Sequence, residues 1–177
     1  MKRVTSKEIQ ALIPLYTDEG GNFTSVKAEE GETLLEKSVR TVLKNICEFY
    51  HYDLEVSNKD YRRKLGIKKL PPIPLKDSLV LIAVKVRKPI GKNDGAYAYV
   101  NVGKVEKVEG SKIIFKDGTT LETLSTEKTI KTSIYMARSL KEEIKSKKAM
   151  VREEEVGYTG KKIKLYEDLH IVIYKKY

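Results

Sequence analysis

The clearest pattern of hydrophobic and polar positions runs from Ala96 to Lys148. Over 96–108 the residues alternate. Ala96, Ala98, Val100 and Val102 fall on one face of an extended chain, and Tyr97, Tyr99 and Asn101 on the other. Glu109-Gly110-Ser111 is a turn and Ile113-Ile114-Phe115 a short strand. Asp117-Gly118 marks a tight hairpin, because this pair readily takes the positive φ such a turn needs. Thr120 to Leu124 returns as a further strand. Ser125 or Thr126 then caps a helix over 126–147, with Ile130, Ile134, Ala137 and Ile144 on one face. The stretch predicts a three-stranded antiparallel meander feeding an amphipathic helix.

Ahead of it, Ile9 to Tyr16 alternates as a strand in which Pro14 marks an edge position. Residues 18–22 form a turn, Phe23 to Ala28 returns, and Gly31 ends that strand. Thr33-Leu34-Leu35-Glu36 reads as a capping box opening a helix over 33–51, along which Leu35, Val39, Val42, Leu43, Ile46 and Phe49 keep the helical period. Leu54-Glu55-Val56 reads as a short strand, and Ser57 to Asp60 as the start of a second helix that Gly66 stops. Pro71, Pro72 and Pro74 forbid helix and central strand. The near-continuous apolar run from Leu79 to Val86 is the best central strand, and Pro89 to Gly95 is an exposed loop. Past Lys148, Glu153-Glu154-Glu155 and Gly157 to Gly160 read as loop, and Lys161 to Tyr166 with Leu169 to Tyr174 as the arms of a closing hairpin. The expected architecture is a single α+β domain. An antiparallel sheet, including strands at 9–16, 79–87, 96–108, 112–116 and 120–124, carries two amphipathic helices. Residues 1–148 form the main unit, and 149–177 a C-terminal extension packed on it as a hairpin.

The length, 177 residues, is enough for a substantial core. Charge changes the picture more. With 35 Lys and Arg against 25 Asp and Glu, the net charge of +10 points to a polyanionic partner, nucleic acid ahead of an anionic membrane surface. No apolar run is long enough to span a bilayer, and the first residues lack the apolar region of a signal peptide. A cytoplasmic protein without a membrane partner is the expectation. The single cysteine, Cys47, excludes an internal disulfide framework and reads as a buried, inert thiol.

Chemistry-bearing motifs are scarce. His51, His170 and Cys47 lack metal-site spacing. Neither a phosphate-binding glycine loop nor a nucleophile elbow is present. Asp53, Glu55 and Lys59 could in principle serve metal-assisted phosphodiester hydrolysis, but nothing sets them apart from the other acids. The reading is therefore of a non-enzyme with no catalytic residue, metal or cofactor. Basic clusters are more informative. Arg62, Arg63 and Lys64 stand together, followed by Lys68 and Lys69. Lys85, Arg87, Lys88 and Lys92 gather at the end of the apolar strand and its loop. Lys131, Arg138 and Lys145 recur every seven residues on one helix face, while Lys141 lies near the centre of the apolar face and must snorkel or meet a partner. Lys68, Lys69 and Lys141 apart, these ten residues are the candidate DNA contacts. The first two clusters are expected to share one surface, with the helix face extending it or serving a partner subunit. Two other readings remain open: a structural or interaction protein of phage or mobile-element type whose basic surface is incidental, and a metal-dependent enzyme acting on nucleic acid.

In their order these landmarks resemble the ComK family of bacterial competence transcription factors. Asn45-Ile46-Cys47-Glu48-Phe49 is similar to that family's hydrophobic segment ending in a cysteine and an aromatic. Tyr61-Arg62-Arg63-Lys64-Leu65-Gly66 resembles its Tyr-x-Gly-Arg-Lys stretch, with Arg63 where the family tends to have glycine. Pro71-Pro72-Ile73 before Leu79-Val80-Leu81-Ile82, and Phe115-Lys116-Asp117-Gly118 within 108–121, fit the remaining pattern. Ala83-Val84-Lys85 replaces the Phe-Pro-Thr that usually ends the apolar strand. The resemblance covers about 9–147 and implies a self-associating protein that binds double-stranded AT-rich DNA through the minor groove and is controlled by a proteolytic adaptor. The residues themselves support a basic α+β domain without a recognisable helix-turn-helix, and a minor-groove reader needs no recognition helix.

Overall fold

The computed structural model describes residues 9–17, 21–91 and 94–155, with side chains in the last helix as far as Ser146. Strands β1 (Ile9–Tyr16), β2 (Asn22–Ala28) and β3 (Gly31–Leu35) precede helices α1 (Val39–Phe49) and α2 (Leu54–Leu65). Strands β4 (Ile73–Lys76), β5 (Leu79–Lys85) and β6 (Tyr97–Asn101) follow. A single 3-10 turn over Val102–Lys104 leads into β7 (Val105–Glu109), β8 (Lys112–Phe115), β9 (Thr120–Glu122) and helix α3 (Glu127–Glu155). One sheet has six strands in the order β3-β2-β1-β6-β5-β4, and a second has three in the order β7-β8-β9. The strand pairs are antiparallel, so the fold is α+β as expected.

Why β5 reads as an unbroken apolar run is now plain: it is buried on both faces. Leu79 and Leu81 point to one side, where Val39, Val42, Leu43, Ile46 and Cys47 of α1 cover them. Val80, Ile82 and Val84 point to the other, against Ile130, Ile134 and Ala137 of α3 and the apolar residues of the small sheet. Alternation along β6 likewise sends Ala98 and Val100 into the second core, while Tyr99 packs on the first. The result is three layers, α1 on one face of the large sheet and α3 with the small sheet on the other. Gln10, buried in β1, donates to Asp117 Oδ2 at 2.7 Å and so ties the β8–β9 hairpin to the large sheet. Desolvation pushes the Asp117 carboxyl up. Hydrogen bonds from Thr119 and Gln10 outweigh it and hold the group at about 2.

Five sequence expectations are corrected. Pro14 does not put β1 at an edge: β1 lies between β2 and β6. The ladder to β6 pairs only Ala11 with Val100 and Leu12 with Tyr99, so it ends before the residue that has no N–H to give. Residues 33–36 are strand, not the start of a helix. Gly31, at φ +130°, lets the chain reverse after Glu30, and Thr33, Leu34 and Leu35 then pair with Val26, Ser25 and Thr24. The true N-cap of α1 is Ser38, whose Oγ accepts from Thr41 N. Leu54 to Val56 is helix rather than strand, because Asp53 Oδ1 accepts from Glu55 N and Val56 N and starts α2 there. The alternating stretch 96–108 is two strands in two sheets: Asn101 Oδ1 accepts from Gly103 N, and the 3-10 turn carries the chain out of the large sheet, taking 112–116 and 120–124 with it. Finally, Glu153 to Glu155 continue α3 instead of forming a loop. No Gly or Pro interrupts 127–155, and glutamate is a good helix former. The hairpin expected at 161–174 lies outside the described residues.

Close packing of the 94–96 segment on α1 gives a direct check. A Cβ on Gly95 would stand 2.6 Å from Val39 Cγ1 and 3.8 Å from Pro14 Cβ. Valine is stiff and cannot swing aside. Gly95→Ala is thus expected to cost about 1–3 kcal/mol by overpacking, against the small gain such a change gives in an open loop. A thermal melt reads it as a lower midpoint. An unchanged or higher midpoint would mean the loop does not sit against α1.

Candidate nucleic-acid interface

Helix α2 has no buried residue and carries its charges in a polarised order, Glu55 in its first turn and Arg62, Arg63 and Lys64 in its last. Each end complements the helix dipole, and Gly66, at φ +61°, closes the helix in the left-handed conformation that favours glycine. Arg62 Nε donates to the Lys69 carbonyl at 3.2 Å, which folds the following basic segment back on the helix end. Arg63 pairs with Asp60 at 3.2 Å, but its side chain is 83% exposed, and an exposed pair of this spacing holds it only weakly. Lys64 pairs with Glu143 of α3.

The strand-end cluster is built differently. Lys85 is half-buried and takes the start of α3 through its backbone: its N–H donates to Ser125 Oγ, and its carbonyl accepts from Leu124 N. Arg87 lies inside a polar clasp. Its Nε donates to the Gly95 carbonyl at 2.7 Å and its Nη2 to Asn22 Oδ1 at 2.8 Å, and its guanidinium stacks 3.8 Å from the Tyr16 ring centroid. Asp94 completes the clasp, accepting from Asn22 Nδ2, Tyr16 Oη and Gly91 N at 2.6–2.7 Å. The Asn22, Tyr16 and Gly91 bonds hold its carboxyl well below the usual carboxylate range. Lys88 is exposed, and Lys92 lies outside the described residues.

On α3, Thr126 is the residue that caps, accepting from Thr129 N. Lys131 pairs with Glu127 at 2.5 Å and Lys145 with Glu142 at 3.3 Å, while Arg138 is exposed. Lys141 is half-buried and lines a shallow groove with Pro74, Leu75, Val80 and Ile144. The sequence expectation joined the Arg62–Lys64 and Lys85–Lys88 clusters into one surface. The structure places Lys64 at Glu143 and Lys85 at Ser125, just ahead of the helix cap, and the helical stretch between them, from Glu127 to Glu143, spans about 24 Å at 1.5 Å per residue. It brings the α2 cluster instead to the half of α3 that carries Arg138, Lys141 and Lys145.

Sequence reasoning missed the part Asp53 plays, which is to cap α2. The signal was the acidic residue just ahead of a chain segment with helical spacing. It also missed the clasp of Tyr16, Asn22, Arg87 and Asp94, whose members are distant in sequence and which no local pattern could have joined. Among the described residues, no group of three or more His, Cys, Asp or Glu could hold a metal ion. Burial, then the neighbouring Glu48 charge, pushes the Cys47 thiol up to about 11, as suits an unreactive core residue. Among the described residues no helix is long and apolar enough to cross a membrane.

The fold and its basic clusters define a class, an α+β domain with a strongly basic surface, more than an individual. The family model described as ComK protein matches residues 2–149. The chain belongs to the ComK family, whose members are competence transcription factors and not enzymes, and a DNA-binding regulator is consistent with that membership. No curated protein and no solved structure matches the chain.

Proposed function

We propose that this chain is a transcription regulator that binds double-stranded AT-rich DNA, with arginines in the minor groove and lysines on the phosphates. The observation that carries the reading is the family match over most of the chain, and the net charge of +10 supports it. Arg62 and Arg63 are the groove-reading candidates, since a guanidinium sheds water more easily than an ammonium. Lys64, Lys85, Lys88, Lys92, Lys131, Arg138 and Lys145 supply phosphate contacts or a partner-subunit face, and Arg87 positions the loop it holds. Self-association and an adaptor that directs proteolysis belong to the same proposal.

The test is a gel shift with AT-rich and GC-rich duplexes across a salt series. Binding should favour AT-rich DNA and fall steeply with salt as counterions are released. Retention of neither duplex at physiological salt would leave an interaction protein with an incidental basic surface, and metal-dependent cleavage of the probe an enzyme. Lys88→Ala is expected to weaken both duplexes alike and to lower the salt slope by about one unit. An unchanged slope would remove Lys88 from the interface. One observation favours a second reading, in the major groove: α1 and α2 are joined by only the residues from Tyr50 to Asp53, a spacing that helix-turn-helix readers use. A minor-groove ligand such as netropsin displaces the protein under the first reading and leaves it bound under the second.

A further inference from the structure

We infer that Ile90, in the β5–β6 loop, is an apolar wedge whose side chain enters between base pairs from the minor groove. The inference rests on the DNA-binding reading above and names a part of the interface that charge alone does not reveal. Ile90 is 84% exposed, more than any other large hydrophobic residue described. An isolated exposed isoleucine on a loose loop would need no explanation. This one stands on a loop whose backbone is fastened on both sides of it. Its own N–H donates to Tyr16 Oη at 3.0 Å, and the next N–H, from Gly91, donates to Asp94 Oδ2 at 2.6 Å. Asp94 N in turn donates to the Gly91 carbonyl. Tyr16 itself is fixed by its bond to Asp94 and by the Arg87 guanidinium on its ring.

The clasp therefore orders the backbone at Ile90 while leaving the side chain in water. Pro89 before it fixes one further backbone angle, and a β-branched side chain has few rotamers to lose. An apolar group held out rigidly is suited to entering a site that must be opened to receive it, because the ordering is complete before binding. The surroundings favour DNA over an apolar protein partner. Exposed Lys88 lies two residues before Ile90 in the chain and sets a cation beside the apolar side chain, while Arg87 is turned into the clasp. The one acidic group of the clasp, Asp94, has both oxygens taken by donors inside it. Apolar residues flanked by cations are what minor-groove proteins press between base steps, unstacking them most easily at flexible pyrimidine–purine steps such as TA.

The experiment uses the full chain and an AT-rich duplex carrying 2-aminopurine at single TA steps, read by fluorescence and anisotropy together. Wild-type protein should raise the 2-aminopurine signal at one or two steps on binding. Ile90→Ser should abolish that rise and weaken AT-rich binding about tenfold, the factor that about 1.4 kcal/mol represents, with the salt slope unchanged. Its melting temperature should match wild type, since the exposed side chain supports no core. Ile90→Leu, apolar and of equal size, should restore the signal. Saturated wild-type complex with no fluorescence change at any step overturns the wedge but leaves DNA binding intact. So does an Ile90→Ser protein that still unstacks the probe, or one whose only defect is in self-association, which would make the loop a contact between copies of the chain. Failure of wild-type protein to bind any duplex removes the DNA-binding reading, and the wedge with it.

Discussion

Replacing Asn101 by alanine is expected to cost about 3–5 kcal/mol, a large share of the roughly 5–15 kcal/mol that holds a domain of this kind together. Asn101 is fully buried at the end of β6. Its Nδ2 donates to the carbonyls of Ile9 and Ser78, each at 3.0 Å, and its Oδ1 accepts from Gly103 N at 3.1 Å. One side chain thus joins the start of β1, the β4–β5 turn and the 3-10 turn at which the chain leaves the large sheet. Alanine would remove all three bonds at once, the one to Ile9 buried and the other two part-buried, and a buried group left without a partner costs about 1–3 kcal/mol. Aspartate keeps the acceptor for Gly103 but sets a second oxygen against two carbonyls, so Asn101→Asp should be no better than alanine. Denaturant titration would show both as a large fall in midpoint. A loss under about 1 kcal/mol for Asn101→Ala would mean that water replaces the side chain and that the corner does not depend on it.

That corner also explains what the sequence could and could not disclose. The alternation that buries Ala98, Val100 and Val102 gives way beyond the break to burial at Val105 and Val108, three residues apart, so its phase slips after Val102. A slip of that kind is also what a β-bulge within one long strand gives, so burial alone does not tell one strand from two lining the same core. Only the Asn101 side chain's bond to Gly103 N separates them, and an asparagine followed two residues later by glycine was the local sign. The strand at 79–85 was legible because burial on both faces leaves no polar position to obscure it. The helix over α1 was legible from its stripe, but not its start. Thr33 to Glu36 satisfies a capping box as well as Ser38 with Thr41 does, and the choice was made by pairing with β2, a contact outside any local window. The basic clusters were legible as composition. Their grouping was not, because it depends on α3 running back along β5 so that Glu143, not Ser125, meets Lys64.

The double replacement Arg62→Ala with Arg63→Ala is the sharpest test of where DNA is read. Each arginine in a specific contact is worth about 1–3 kcal/mol, and because the two are neighbours their sum is an upper bound. A loss of about 2–4 kcal/mol in AT-rich affinity is expected, roughly 30-fold to 1,000-fold, with a smaller loss on GC-rich DNA. Stability should hardly move. Helix α2 buries no side chain, the Arg63–Asp60 pair is exposed, and the bond from Arg62 to the Lys69 carbonyl is at the surface. Matching melting curves would therefore separate lost contacts from lost fold. The paired lysine variant, Arg62→Lys with Arg63→Lys, discriminates further. Ammonium groups keep the phosphate attraction and the salt slope but are held back from a narrow groove by their hydration. If these arginines read groove width, lysine should preserve GC-rich binding and erase most of the AT preference. If lysine restores both duplexes equally, the pair only neutralises phosphates, and base preference must come from elsewhere on the surface. If the alanine pair binds both duplexes as wild type does, the exposed end of α2 faces away from DNA and the proposed interface is wrong there.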